Sequence, residues 1–301
     1  MHLHGDWSGS ALDRDPVAAD VGPFPRRGFL EVWRAHRGSG ELLLADDGRV
    51  ALPLRRGRGG IVIAGEEDLT DYHCPLGGGL ADLVAFGEAL GAALTPGTRF
   101  RLDSLPGEVA VPLAEGLAAA GVAVAPAPHQ AAAVLALPAD YETYLGGLRA
   151  KDRHEIRRKR RRFTDALGEP HLVSGPGGFG AFVEMHRASE GPKGEFMGEE
   201  MAGFFEDLLG VDGALLSLLM CGGAAVAAAF GFEDDGVYYL YNSAYDPRFG
   251  SASPGVTLVD RLIAAAIGGG KRRFDFLKGD ESYKFRMGAV PRPLFVLEGA
   301  A

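Results

Sequence analysis

Residues 40–105 and 213–279 pass through the same succession of apolar, turn and charged segments, and this internal repeat constrains the fold more than any other feature. In the first copy, GELLLADDGRVALPLRR sets two short apolar runs around Asp46-Asp47-Gly48, the pattern of a β-hairpin. A strand-like GIVIAG, an irregular DLTDYHCPLGGG, a helical LADLVAFGEALGAAL and a charged strand TRFRLDSL follow. The second copy keeps that order. GALLSLLMCGGAAVAAAFGFEDDGVYYLYN predicts two hairpins, turning at Cys221-Gly222-Gly223 and Asp234-Asp235-Gly236. Next come the irregular SAYDPRFGSASPG, the helical VTLVDRLIAAAIGGG and the strand KRRFDFLKG. Single residues also correspond: Asp71-Tyr72 faces Tyr245-Asp246, and Asp103 faces Asp275. Strand–loop–helix–strand series favour an α/β fold over a sandwich. Two similar lobes are expected, residues 1–138 and 139–301, with a helix over Tyr141–Phe163 opening the second.

A chain of 301 residues suits two globular units or one large one. Its 47% hydrophobic and 24% charged residues exclude a disordered, collagenous or coiled-coil chain. No run approaches ~18 uncharged apolar residues, and the N-terminus lacks the basic-then-apolar pattern of a signal peptide. Two cysteines, Cys74 and Cys221, build no disulfide framework, so a reduced, cytoplasmic protein is expected. The net charge of −9 is unevenly spread. Residues 149–162 hold nine Lys/Arg against two acids, a local +7, which leaves −16 for the remainder. A mostly acidic surface repels phosphate, which excludes a general nucleic-acid binder. The basic helix is either a solvated face or an anion site for cofactor phosphates or a tRNA acceptor stem.

The small-residue loop Gly250–Gly255 leads into the helix that starts at Val256, with Ser251 or Ser253 as cap and Pro254 suited to the first turn. Such a junction is either an ordinary capped connection or a phosphate site, because it directs free N–H groups at whatever docks there. GPGGFG (175–180) spells the dinucleotide fingerprint G-x-G-x-x-G, but no second strand ending in an acid follows about 20 residues on. No metal site is expected: His2 and His4 share a terminus, and His73-Cys74 are adjacent. In FDFLKGDESYK, Asp275 alternates with Phe274 and Phe276, so it points to one face of its strand while both rings point to the other. An acid on a central strand is costly unless it is paired or used.

The run from Tyr141 through LRAKDRHEIRRKRRRF, Met185-His186 with the following GEF, the YD…SPG loop and FDFLKGDESYK together resemble GNAT-superfamily acyltransferases of the CelD, cellulose-biosynthesis type; DYHCPL and LDSLPGE resemble the same family's first lobe. Fem-type transferases, which use aminoacyl-tRNA, are more distant relatives. The resemblance implies an α/β (α+β) fold of tandem duplicated GNAT-like lobes. Each would be a mixed, mainly antiparallel sheet flanked by helices, with the first lobe degenerate for cofactor. It implies N-acyl transfer from acetyl-CoA or another acyl-CoA to an amine acceptor. The alternatives are aminoacyl transfer from tRNA, engaged through the basic helix 149–162, and an inactive scaffold. The cofactor contacts implied are Arg248, Gly250, Ser251, Ala252, Ser253 and Gly255. Lys284, in Tyr283-Lys284, matches an essential Fem-type lysine, so Lys284, Asp275 and Tyr283 are the expected catalytic group. His186, Tyr245, Asp246, Asp71 and Tyr72 are expected to line the acceptor site.

Overall fold

The computed structural model describes residues 1–301 except the side chains of His2 and Lys193, so the His2 half of the His2/His4 pair lies outside the described residues. The chain divides into two compact units, one of Met1–Ala132 with Arg292–Ala301 and the other of Ala133–Pro291. The first contains β1 (His2–His4), α1 (Arg27–His36), β2 (Glu41–Asp46), β3 (Ala51–Gly57), β4 (Gly60–Ile63), α2 (Leu83–Ala93), β5 (Arg99–Pro106), α3 (Gly107–Ala119) and most of β6 (Ala127–Ala136). The second holds α4 (Tyr141–Gly147), α5 (Ala150–Leu167), β7 (His171–Ser174), α6 (Phe179–Arg187), α7 (Pro192–Phe196) and α8 (Glu199–Leu208). It continues through β8 (Ala214–Cys221), β9 (Ala224–Glu233), β10 (Val237–Tyr245), α9 (Pro254–Gly268), β11 (Arg273–Lys278) and α10 (Ser282–Arg286). The last strand, β12 (Val290–Ala300), returns to the first unit.

Each unit is a mixed, mainly antiparallel sheet flanked by helices. In the first, the order is β1-β2-β3-β4-β5-β12, and only β4 and β5 run parallel among its described pairs. In the second it is β6-β11-β10-β9-β8-β7, with β6 contributing from Ala133 and β10 and β11 running parallel. The parallel pair needs a crossover, and α2 and α9 supply it in corresponding places. The expected hairpins form for local reasons. Gly222 and Gly223 both take positive φ, 56° and 82°, as a two-residue turn between β8 and β9 requires. Asp234 ties off the next turn by accepting from the amides of Gly236 and Val237.

In the first unit, α2 and α3 cross backbone to backbone. A Cβ on Gly116 would collide with the Val84 carbonyl and stand 2.7 Å from Glu88 N; one on Gly87 would stand 2.5 Å from the Leu113 carbonyl. The second unit packs Phe182, Phe204, Phe205, Phe230 and Phe232 around its sheet.

Two expectations are corrected. The helix predicted over Tyr141–Phe163 is two helices, because Gly146-Gly147 favour no helical continuation and both Leu148 and Arg149 turn extended (ψ 151° and 140°). The correspondence of Asp103 with Asp275 is also displaced. Both strands carry one left-handed residue, Ser104 (φ 57°) and Leu277 (φ 60°), which follows Asp103 directly but Asp275 by two positions. Aligned on that kink, Asp103 stands opposite Phe276. The GPGGFG segment leads out of β7, whose described partner β8 is antiparallel, so it is a turn into α6 and opens no βαβ unit.

Candidate active site

The second unit brings most of the sequence-predicted residues to the C-terminal end of its parallel strand pair, the usual ligand end of such strands. The β10–β11 ladder pairs Val237 with Arg273, Tyr238 with Phe274 and Tyr239 with Asp275. Beyond those pairs β10 bulges between Leu240 and Asn242 and continues to Tyr245, while β11 kinks at Leu277. A bulge re-aims backbone groups and side chains, and bulges concentrate beside functional sites.

From Tyr245 the chain turns through a short 3-10 segment, Pro247–Ala252, into α9. Asp246 caps that segment by accepting from Arg248 N at 2.9 Å. Its carboxylate also accepts from Arg248 Nε at 2.9 Å and Nη2 at 2.5 Å, and these bonds hold it below the usual carboxylate range. Two residues expected to touch different ligands are thus bonded to each other. Ser253 takes a left-handed conformation (φ 63°) and makes no side-chain cap bond, and Pro254 occupies the first turn. The Gly255 and Val256 amides of the first turn therefore have no acceptor among the described residues, at the positive end of the helix dipole. The half-exposed Tyr245 ring lies along this loop: a Cβ on Gly255 would stand 3.4 Å from its Cδ1, and one on Gly250 3.7 Å from its Cε2. Arg162 of α5 donates to the Ser251 carbonyl at 3.4 Å, which adds a cation beside the loop.

Lys284 is buried, at 3% exposure. Its Nζ donates to the Lys278 carbonyl at 2.5 Å and the Leu277 carbonyl at 3.4 Å, and it pairs with Glu281 Oε2 at 3.0 Å. Gly279 (φ 116°) makes room for this arrangement, since a Cβ there would strike Glu281 Oε2 and stand 2.8 Å from Lys284 Nζ. Asp275, fully buried, accepts from the Leu277 amide at 2.8 Å. Its carboxylate thereby braces the left-handed residue whose carbonyl faces Lys284. Tyr283 packs edge-on to Phe276, ring centroids 6.1 Å apart, and burial raises its hydroxyl pKa, so it stays protonated at neutral pH.

The remaining expected residues lie elsewhere. His186 is fully buried in α6, edge-on to Phe182 at 4.7 Å. Asp71 and Tyr72 belong to the first unit, where Tyr72 is fully buried with the Arg292 guanidinium 4.9 Å over its ring.

Two polar clusters were missed in the sequence. On α9, the buried Asp260 accepts from the Tyr141 hydroxyl and pairs with Arg160 Nε at 3.5 Å, and Arg160 Nη1 reaches the same hydroxyl at 3.2 Å. Burial raises the Asp260 pKa against both partners. An acid inside the apolar run VTLVDRLIAAAI was the available signal. In the first unit, His73 Nδ1 lies 3.0 Å from the Asp103 carbonyl and 3.2 Å from its carboxylate. Glu67, Asp103 and His129 each offer an atom within 4.8 Å of the others, the spacing of a cation site. Arg101 Nη1 sits between Glu67 (2.8 Å) and Asp103 (2.9 Å), so the protein's own cation already contacts both carboxylates. Three separate segments supply this group, and no local spacing announces it.

Residues 150–285 match the profile of the acetyltransferase (GNAT) domain. They carry a GNAT-type domain. Every expected site residue of the second unit lies inside the matched stretch; Asp71 and Tyr72 lie outside it. No curated protein matches the chain in sequence. Among solved structures, FemX aligns over 100% of this chain and 97% of its own at 10% identity, with a TM-score of 0.62. L-PGS from Bacillus licheniformis aligns over 92% and 93% at 14% identity and a TM-score of 0.58. A conserved protein of unknown function from Bacteroides thetaiotaomicron aligns over 97% and 94% at 12% identity and a TM-score of 0.62. At such identities the likeness is one of fold, and it extends well beyond the GNAT-type domain. No helix among the described residues is long and apolar enough to cross a membrane.

Proposed function

We propose that the chain is an N-acyltransferase that moves an acetyl or other acyl group from acyl-CoA to the primary amine of a small, sugar-linked or lipid-linked acceptor. The observation that carries this reading is the uncapped N-terminus of α9 behind the Gly250–Gly255 loop, with Arg162 at its side, inside a GNAT-type domain. Open amides at a helix N-terminus favour a pyrophosphate. Gly250, Ser251, Ala252, Ser253 and Gly255 would line it, with Arg248 exposed beside them.

In the reaction the amine nitrogen attacks the thioester carbonyl and a C–N bond forms. The tetrahedral oxyanion then collapses, the C–S bond breaks and the thiolate leaves, while the proton lost by the nitrogen passes through water or the Tyr283 hydroxyl to that thiolate, giving amide and free thiol. Most of the acceleration in such a transfer comes from positioning and from charge stabilisation at the oxyanion. Lys284 is the cation assigned to the oxyanion or the leaving group. Its longest contact, to the Leu277 carbonyl at 3.4 Å, is the one it would exchange for substrate. Asp275 acts on Lys284 through the Leu277 peptide, and Tyr283 is the protonated hydroxyl nearest in sequence to Lys284. Tyr245 and Asp246 would face the acceptor at the loop.

A Fem-like reading, with the aminoacyl group taken from tRNA, draws on the nine cations of residues 149–162. Thermal-shift titration separates the two. A ligand at 100 times its dissociation constant stabilises the folded state by about 2.7 kcal/mol. A rise in Tm with acetyl-CoA and free CoA supports the first reading. A rise with tRNA alone supports the second, and no rise with either leaves an inactive scaffold.

A further inference from the structure

The basic helix presents one face that the acyl-transfer reading does not use. Lys151, His154, Arg158 and Arg161 follow one another at steps of three, four and three, so they form a single stripe along α5. Ile156 and Phe163 bury another side of the helix. Arg286, from the last position of α10, joins the stripe, and together they line a cleft of about 600 Å³. That volume is within the range of small-ligand sites, roughly 300–1,000 Å³. The two acids at the cleft are already engaged: Glu155 by Arg158 (Nε 2.8 Å, Nη2 2.7 Å) and Asp152 by Arg149 (2.6 Å). Lys151, Arg161 and Arg286 have no acidic partner among the described residues, which leaves three cations at the cleft without an acid beside them. Like charges gathered without partners repel, and they repel least with an anion between them.

We propose that this cleft binds the phosphate or pyrophosphate group of a small organic phosphate, the phosphorylated portion of the acceptor. Guanidinium forks match phosphate oxygens two at a time and stay charged at every working pH, which suits a dianion better than a single carboxylate. Arg286 stands two residues after Lys284 on α10, so a phosphate held here is tethered to the element that carries the proposed catalytic lysine. The site itself stands on the cleft; its role as the acceptor's anchor rests on the acyltransferase reading. A polynucleotide would also engage Arg149, Arg153 and Arg157, which lie off the stripe. A concave cleft with its own engaged acids favours the small ligand.

The test is isothermal titration of the full chain with inorganic pyrophosphate and with glycerol 3-phosphate at fixed ionic strength. It compares the wild type, the Arg161→Gln/Arg286→Gln double variant, and Arg58→Gln, which removes an exposed charge from the first unit. We expect the double variant to weaken pyrophosphate binding at least tenfold and Arg58→Gln to leave it unchanged, with acetyl-CoA failing to displace pyrophosphate from the cleft. Tighter glycerol 3-phosphate binding points to a lipid headgroup as the source, and tighter pyrophosphate binding to a soluble diphosphate. Equal affinity in wild type and double variant overturns the proposal. So does binding of a short RNA duplex that is sensitive to the double variant when neither phosphate binds. Loss of the acetyl-CoA thermal shift alone leaves the cleft intact and removes only the acyl-CoA reading.

Discussion

Substituting Gly279 by alanine tests whether Lys284 must sit where the fold places it. Gly279 adopts φ 116°, a region that a side chain enters at a cost of roughly 1–3 kcal/mol. The added Cβ would also strike Glu281 Oε2 and stand 2.8 Å from Lys284 Nζ, so the ammonium has to move. Loss of the exposed Glu281 contact adds only about 0–1 kcal/mol. A total near 2 kcal/mol lowers Tm by roughly 4–8 °C for a unit of this size. The effect on turnover should be larger, because a displacement of about 1 Å at a reacting group can lower the rate on the order of 10²-fold. Gly175→Ala is the matched control: φ is 141° there, but a Cβ would meet nothing within 4 Å. The assay is thiol release from acetyl-CoA with a panel of primary amines, alongside thermal denaturation. Both variants should lose comparable stability, and only Gly279→Ala should lose turnover. If Gly279→Ala folds and keeps the wild-type rate, the placement of Lys284 is irrelevant to the chemistry and the catalytic assignment fails.

Two further outcomes are expected. Burial pushes the Asp103 carboxyl up, but His73, Ser104 and Arg101 outweigh burial and hold it well below its ordinary value of 3.8. A lowered folded-state pKa contributes stability that is present above pH 3.8 and lost as pH falls towards the folded value. Acid denaturation of the first unit between about pH 5 and 2 should therefore be steeper in the wild type than in Asp103→Asn, and equal slopes would refute the pairing. Tyr141→Phe removes the hydroxyl that donates to buried Asp260 and accepts from Arg160, and should cost about 1–3 kcal/mol in urea denaturation. Tyr144→Phe, which removes a hydroxyl bonded to Met287 alone (carbonyl 3.0 Å, Sδ 3.8 Å), should cost about 1 kcal/mol, and the reverse order would show that Asp260 does not depend on Tyr141.

The parts legible in the sequence share one property: the residues that produce them are neighbours. Gly222-Gly223 and Asp234-Asp235-Gly236 make their turns by their own backbone preferences and short-range hydrogen bonds. The Gly250–Gly255 loop enters α9 because Ser253-Pro254 end one element and begin the next. Asp246 and Arg248 pair across a single residue. Even the break before α5 was written locally, in Gly146-Gly147, and the basic run across it masked the signal.

What tertiary structure alone decided involves residues brought together from distant segments. The sequence order of β12 does not say that it closes the first unit against β5, since strand pairing depends on which edge is open once the sheets have formed. Arg101 finds Glu67 from a loop and Glu298 from β12, beside Asp103 of its own strand, and Tyr141 finds Asp260 across 119 positions. Lys284 was legible as a candidate, but its engagement by two carbonyls of the Leu277 kink was not. Local propensity acts through bonds and turns, so the sequence by itself determined the repeated series of elements and the loop that opens α9. The polar contacts around each buried charge depend on desolvation and on donor geometry, and those exist only after the chain has packed.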